Sequence, residues 1–281
     1  MWREPRWIRG LELCVHNKER ACYYPGPFAA GRRAVRAPMV AANWKMNGSR
    51  AICREFLQHF DVDGSLDVVL FPPFLYTSIL TEGFAERSIS VGVQNVCNVS
   101  SGAYTGEISA AMAVDSGATY GLVGHSERRN LFGESDGLVA EKFTACQRAG
   151  LTPVLCVGES LEERLEGRAE SVVSGQIDVI IKTVGIKAFA NAVIAYEPVW
   201  AIGTGETARP DQAQSMHAFI RAVLTKSDAT TAKNTRVLYG GSVNANTAAE
   251  LFAEGDIDGG LVGGASLEFK EFAKICRAVS R

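Results

Sequence analysis

Residues 192–226 read AVIAYEPVWAIGTGETARPDQAQSMHAFIRAVLTK, and the fold follows from the change of rhythm within this stretch. The run 192–197 is apolar up to its last residue, Glu197, and its length suits a strand rather than a helix. Pro198 ends it, and a loop carrying Trp200, Ile202, Gly203 and Gly205 follows. From Pro210 the period becomes helical. Ala213, Met216, His217, Ile220 and Leu224 recur at three to four residues and make one face of a helix. Pro210 falls in the first turn, where its missing N–H is harmless. The stretch is one strand–loop–helix unit.

The same unit recurs from residue 39 onward. Apolar runs stand at 39–44, 67–71, 89–93, 119–123, 152–157, 236–240 and 259–262. Helical spacing fills 49–60, 136–149, 160–183 and 268–279. The runs are nearly continuous in apolar residues rather than alternating, as parallel strands covered on both faces require. Eight such units in about 240 residues predict a closed (β/α)8 barrel, a single domain of the α/β class. Periodicity alone does not exclude an open doubly wound sheet.

The whole chain has 281 residues, 47% of them hydrophobic and 21% charged, with a net charge of −2. That composition supports a sizeable core and excludes disorder as the main state. No apolar run approaches the ~18 residues of a membrane helix, and there is no overall basic field for nucleic acid. Seven cysteines stand at 14, 22, 53, 97, 146, 156 and 276. Their odd number and irregular gaps indicate neither a disulfide framework nor a zinc site. Reduced thiols and a cytoplasmic location are expected.

Charge is uneven along the chain. Residues 1–38 hold eight basic and three acidic groups, 8 − 3 = +5, which leaves −7 for the remaining 243 residues. This head contains Pro5, Pro25, Pro27 and Pro38 and lacks periodicity. It is read as an N-terminal extension, expected to be largely disordered, ahead of a catalytic domain at 39–281. It has no apolar core of a secretory signal. An inert or mis-started tail, an organelle-targeting segment and a binding arm all remain open for it.

Polar residues gather at the carboxyl ends of the strands. Asn43 and Lys45 end the first, His125 follows the fourth and Glu197 ends the sixth. Ser242 follows the seventh, and Gly263 and Gly264 follow the eighth. In a closed barrel these ends converge on one mouth, where active sites of this architecture form. The glycine-rich turns after strands seven and eight suit a phosphate, because backbone N–H groups can approach an anion there. Either turn alone would read as a tight barrel corner. No G-x-G-x-x-G stands at a strand–helix turn, so no dinucleotide is indicated. The loop after Glu197 reads as a lid, with apolar groups to exclude water and glycines to hinge. His125 precedes a helix start at Ser126, whose positive end would lower its pKa and keep the ring neutral. Lys45 offers a compact positive charge for a phosphate or an oxyanion. Cys156 lies inside a strand and reads as core packing.

Five segments, in order, resemble the motifs of the triosephosphate isomerase family. They are Asn43-Trp44-Lys45-Met46-Asn47, Gly124-His125-Ser126-Glu127-Arg128-Arg129, Ala195 to Gly205, Tyr239-Gly240-Gly241-Ser242 and Gly259 to Gly264. The resemblance covers 39–281 and implies a TIM barrel that interconverts dihydroxyacetone phosphate and D-glyceraldehyde 3-phosphate in glycolysis and gluconeogenesis. It implies Glu197 as general base, His125 as the neutral electrophile, and Lys45 and Asn43 as substrate and charge binders. Gly203, Ser242, Gly263 and Gly264 would hold the phosphate. Residues 198–208 would form the lid, Ile202 and Leu261 would press on the Glu197 carboxylate, and Glu127 would stand near Lys45. These roles follow the family, itself the reference case for such pKa tuning and lid closure. No cofactor and no metal are implied. The segment from Gln94 to Glu107 resembles a loop that inserts into a neighbouring subunit, which implies a homodimer with Thr105 at the contact and neither nucleic acid nor membrane as a partner.

Two positions depart from the family pattern. Ala42 stands where glycine is common, with a methyl group that would shift Asn43, and Glu206 stands where lysine is frequent in the lid. The residues also leave room for a sugar-phosphate epimerase, which would need a metal held by His and Asp. They leave room, too, for a binding barrel whose basic head is a nucleic-acid arm.

Overall fold

The structure, a computed structural model, describes residues 36–62, 64–202 and 208–279. Most of the predicted extension lies outside the described residues, and so do Gly203, Gly205 and Glu206 of the predicted lid.

Among the described residues eight strands form: β1 (Met39–Asn43), β2 (Asp67–Phe71), β3 (Ile89–Val93), β4 (Tyr120–Val123), β5 (Thr152–Val157), β6 (Val193–Tyr196), β7 (Arg236–Tyr239) and β8 (Gly259–Val262). Each pairs with the next in sequence, and β8 returns to pair in parallel with β1, which closes the barrel and excludes the open sheet. The strands stand where the apolar runs put them, with ends shifted by no more than one residue.

The outer layer holds α1 (Arg50–His59), α2 (Thr77–Gly83), α3 (Ala110–Asp115), α4 (Ser126–Phe132), α5 (Asp136–Ala149), α6 (Leu161–Leu165), α7 (Ala169–Val184), α8 (Pro210–Ser227), α9 (Ala229–Asn234), α10 (Ala248–Phe252) and α11 (Phe269–Arg277). The single helix expected over 160–183 is two helices. Ser160 and Glu163 form a capping box that starts α6. Gly167, at φ 72°, then turns the chain before α7, a conformation that costs a side-chain-bearing residue more than glycine.

Each strand sorts its residues between two cores. On β1, Met39 and Ala41 face the barrel interior, while Val40 and Ala42 face the helices. On β6, Val193 and Ala195 face in, while Ile194 and Tyr196 face out. Fully burying each large apolar side chain is worth about 1.5–3 kcal/mol, so this two-sided sorting fixes the register. It also disposes of the concern about Ala42. Its methyl group lies in the outer core, on the opposite side of β1 from Asn43.

The floor of the barrel is tied by charge. Asp258, 2% exposed at its side chain, accepts from Arg36 Nε at 2.7 Å and from Arg221 Nη2 at 2.9 Å. It also takes the Val237 N–H at 2.9 Å. Arg36, counted with the basic head in the sequence, is thus bonded to the barrel.

His217 of α8 is fully buried between two tyrosines of the outer core. Its ring meets Tyr196 edge-on at 5.8 Å and lies 6.4 Å from the Tyr239 ring. Burial lowers its pKa from 6.5 to about 4. The unfolded chain takes up this proton near pH 6.5 and the folded chain does so only near pH 4. Stability is therefore fully present above pH 6.5 and lost as pH falls toward 4, by about 3 kcal/mol. Urea unfolding of wild type and His217→Gln across pH 7 to 4 should show the variant, weaker at pH 7, declining less steeply. Parallel declines would contradict this account.

Candidate active site

The inward parity of the strands carries to the mouth of the barrel. Asn43 continues the Met39–Ala41 row, and Glu197 continues the Val193–Ala195 row. Both are buried, at 5% and 2% exposure, yet both border one cavity of about 410 Å³ at the barrel mouth. Lys45, His125, Ile202, Ser242, Leu261, Gly263 and Gly264 line the same cavity. Every described residue that the sequence assigned to catalysis, phosphate or the carboxylate wall thus meets in one place. Gly203 lies outside the described residues.

Glu197 holds two contacts at once. Its Oε1 lies 2.9 Å from His125 Nε2, and its Oε2 accepts the Ser126 N–H at 2.8 Å. Burial alone would raise its pKa, but the His125 ring, the Ser126 N–H and Lys45 outweigh it and hold the carboxyl below its usual range. The ionised form is therefore favoured although the residue is only 2% exposed.

His125 caps α4 with its own ring. Nδ1 accepts the Glu127 N–H at 3.2 Å, which requires a lone pair there and puts the ring proton on Nε2, facing Glu197. The expectation that the helix end lowers the pKa needs correction. Burial opposes the imidazolium, but Glu197 in contact and Glu127 nearby favour it, and the balance is a pKa raised above the ordinary value. The helix contact is present; the carboxylate reverses its effect.

Lys45 is held by its neighbours rather than by a regular element. Its φ of 52° is the one positive value outside glycine among the described residues. Asn43 Oδ1 accepts its N–H at 3.0 Å, and Gln94 Nε2 donates to its carbonyl at 2.9 Å and to that of Phe71 at 2.8 Å. The ammonium group reaches Glu127 Oε1 at 2.5 Å, which places Glu127 beside Lys45 as expected. A β-carbon on Gly263 would lie 3.4 Å from Lys45 Cε, so the ammonium arm runs against the glycine turn after β8.

Two residues' parts in the site escaped the sequence reading. Gln94, which reads only as the start of the subunit-contact loop, is one. Glu159 is the other: fully buried, its Oε1 accepts from Tyr196 Oη at 3.0 Å, Trp200 Nε1 at 2.9 Å and Arg164 Nη1 at 3.2 Å. It anchors the first turn of the predicted lid. Both follow strand ends, the same positional signal that flagged Asn43 and Glu197.

Cys156 faces the barrel interior, and burial pushes its thiol well above the ordinary range, in keeping with a packing role. Among the described residues no group of three His, Cys, Asp or Glu could hold a metal ion. No described helix is long and apolar enough to cross a membrane.

The arrangement offers an ionised buried carboxylate, an imidazole N–H, an ammonium group and a glycine-lined pocket. These suit proton transfer next to a carbonyl on a small phosphorylated substrate. Comparison with known proteins agrees. The family model described as triosephosphate isomerase matches residues 38–279. A relative named triosephosphate isomerase from Xanthomonas oryzae pv. oryzae (strain PXO99A) is 52% identical over 250 residues, covering 88% of this chain and 99% of the relative. One of the same name from Pseudomonas fluorescens (strain Pf0-1) is 54% identical over 248 residues, 87% of this chain and 99% of the relative.

The backbone beneath Glu197 admits no side chain at Gly158. A β-carbon there would lie 1.8 Å from the Glu197 carbonyl oxygen, a backbone atom that cannot step aside cheaply. Gly158→Ala should destabilise by about 1–3 kcal/mol and depress turnover of the folded protein. Thermal melts and steady-state kinetics check this; a variant equal to wild type in both would refute the packing argument.

Proposed function

The chain belongs to the triosephosphate isomerase family, and from that premise we propose which of its residues carry the reaction. It interconverts dihydroxyacetone phosphate and D-glyceraldehyde 3-phosphate, a step of glycolysis and gluconeogenesis. Glu197 takes the proton from the carbon beside the carbonyl and returns it to the neighbouring carbon. The His125 Nε2–H donates to the carbonyl oxygen as it gains charge and shuttles protons between the two oxygens of the enediolate. Lys45 and Asn43 bind substrate and offset its negative charge. Ser242, Gly263, Gly264 and Gly203 hold the phosphate, remote from the reacting carbons, so that its binding energy serves to close the lid. Ile202 and Leu261 wall the carboxylate off from water.

The observation that supports this reading most is the 2.9 Å contact between Glu197 and His125 on the cavity shared with both glycine turns. It also supplies an electrostatic sequence. While Glu197 rests on His125, the imidazole is biased toward its cation. Once the carboxylate turns to a substrate carbon, the largest charge favouring the cation is gone; burial and the helix N–H at Nδ1, which favour the neutral ring, are then opposed by Glu127 alone. A neutral ring is the form that donates without surrendering its proton prematurely.

A homodimer and a cytoplasmic location belong to the same proposal. Thr105 is exposed. Met46 at 97%, Leu75 at 83% and Phe132 at 67% are large apolar side chains left open to solvent. They follow β1, β2 and β4, while Thr105 follows β3, so the uncovered groups belong to consecutive units at one side of the mouth. A second copy inserting its own loop there would cover them. The catalytic domain is taken as 39–281, with the head dispensable for chemistry and nucleic acid absent from its partners.

Glu197→Asp tests the catalytic assignment. Shortening the side chain by one methylene should leave the melting temperature within a few degrees and lower kcat by about 10²–10⁴-fold. Turnover within threefold of wild type would remove Glu197 from its role. Sedimentation of full-length protein and of a chain lacking residues 1–34, which keeps Arg36, should give the mass of two chains and equal kcat. A monomeric, fully active species would overturn the dimer.

A further inference from the structure

Resting on the assignment of Glu197 as the base, we propose that Gln176 of α7 is a positioning residue that sets where that base stands. Gln176 lies outside the catalytic cavity. It borders instead a larger one of about 740 Å³, which Glu197, Ser126 and Gly158 also line. Its side-chain amide brackets a single residue. Nε2 donates to the Gly158 carbonyl at 3.0 Å, and Oε1 accepts the Gly158 N–H at 2.8 Å. A primary amide matches a residue's paired donor and acceptor in this way, and no ionised or apolar side chain does.

Gly158 is the residue on which Glu197 rests. The Glu197 N–H donates to the carbonyl of the preceding residue, Val157, at 2.7 Å. The Gly158 α-carbon packs so closely on the Glu197 carbonyl that a β-carbon would overlap it. The residue after Gly158 is Glu159, whose buried carboxylate holds Tyr196 Oη and Trp200 Nε1 on either side of Glu197 in sequence. Fixing the two peptide planes of Gly158 therefore fixes the backbone under the base and the anchor of its lid together. The bracket comes from a helix, a rigid element, and not from the loop it steadies. A misplacement of about 1 Å at a reacting group can cost 10²-fold in rate, so a polar pair this remote can matter.

The experiment compares Gln176→Leu, Gln176→Glu and Glu197→Asp with wild type, reading kcat and KM for D-glyceraldehyde 3-phosphate on the folded fraction from pH 5.5 to 8. Gln176→Leu should lose about 10- to 100-fold in kcat with KM changed less than about threefold. Gln176→Glu distinguishes positioning from mere packing. Ionised, the new carboxyl accepts from the Gly158 N–H but repels its carbonyl; protonated, it makes both bonds again. Its kcat relative to wild type should therefore rise as pH falls. A purely structural role would lower the melting temperature and leave kcat of the folded fraction and this ratio flat, which would overturn the proposal. If Gln176→Leu does not fold, the pH dependence of the near-isosteric Gln176→Glu decides alone. Collapse of Glu197→Asp with normal turnover at both Gln176 variants would refute only the role of Gln176. Normal turnover of Glu197→Asp would remove the base on which the proposal rests.

Discussion

The Glu197 carboxylate, shared between the His125 ring and the Ser126 N–H, is the contact on which the rest of the molecule depends. The partners come from the ends of β4 and β6, which are not neighbours; β5 stands between them. Strands two places apart in a sheet lie roughly 9–10 Å from each other, twice the usual spacing. A contact across that gap requires inward curvature, an inward-facing parity at position 197 and a turn after β4 that swings back over the mouth. Closure of the barrel gives the first, the two-sided core gives the second, and Gly124, at φ 71°, gives the third. The chemistry is thus a consequence of topology before it is a consequence of any one side chain.

Electrostatics then works through coupling rather than through isolated shifts. Burial pushes a carboxyl up and an imidazole down, so it favours the neutral form of each group. Together they reverse both directions: the carboxyl is held low and the ring is carried high. The two groups titrate as a pair, and a macroscopic pKa measured on the free enzyme belongs to the pair. Under the proposed roles, substrate entering between them would remove the largest charge that each feels from the other. In the proposed mechanism this moves His125 toward its neutral form and raises the basicity of Glu197, as proton abstraction from carbon needs.

The sequence carried the strands almost to the residue, because runs such as Val193–Tyr196 are continuous, short and bounded by proline or glycine. It carried Asn43, Lys45, His125 and Glu197 for a related reason: polar residues ending apolar strands have few structural uses. Gln94 and Glu159 obey the same rule, but Gln94 reads only as the start of the subunit-contact loop and Glu159 stands in a segment without an evident chemical pattern. Gln176 could not be read at all. It is one polar residue on an amphipathic helix, and its meaning depends on α7 crossing the end of β5. The break at Gly167 was hidden because helical spacing resumes in phase after it. The electrostatic direction at His125 was misjudged because the helix end is local in sequence, whereas Glu197 lies 72 residues away.

Stability and function are divided between the two ends of the barrel. At the mouth, Lys45 sits in a left-handed conformation that costs a residue with a β-carbon about 1–2 kcal/mol. Asn43 and Gln94 hold it there by bonding both of its peptide groups. Such a conformation persists only where the surroundings over-determine it. At the floor, the opposite economy prevails. Asp258 is nearly buried, but two guanidinium groups and a backbone N–H satisfy it, and its own backbone bonds β7 and the start of β1. Removing either arginine would leave a poorly solvated charge at the seam where β8 meets β1, and a buried pair broken on one side is costlier than no pair at all. The seam closes the barrel, and closure is what sets β4 against β6. The strained lysine and the shared carboxylate at one end are therefore supported, through the register of the sheet, by a charge cluster at the other end that touches no substrate.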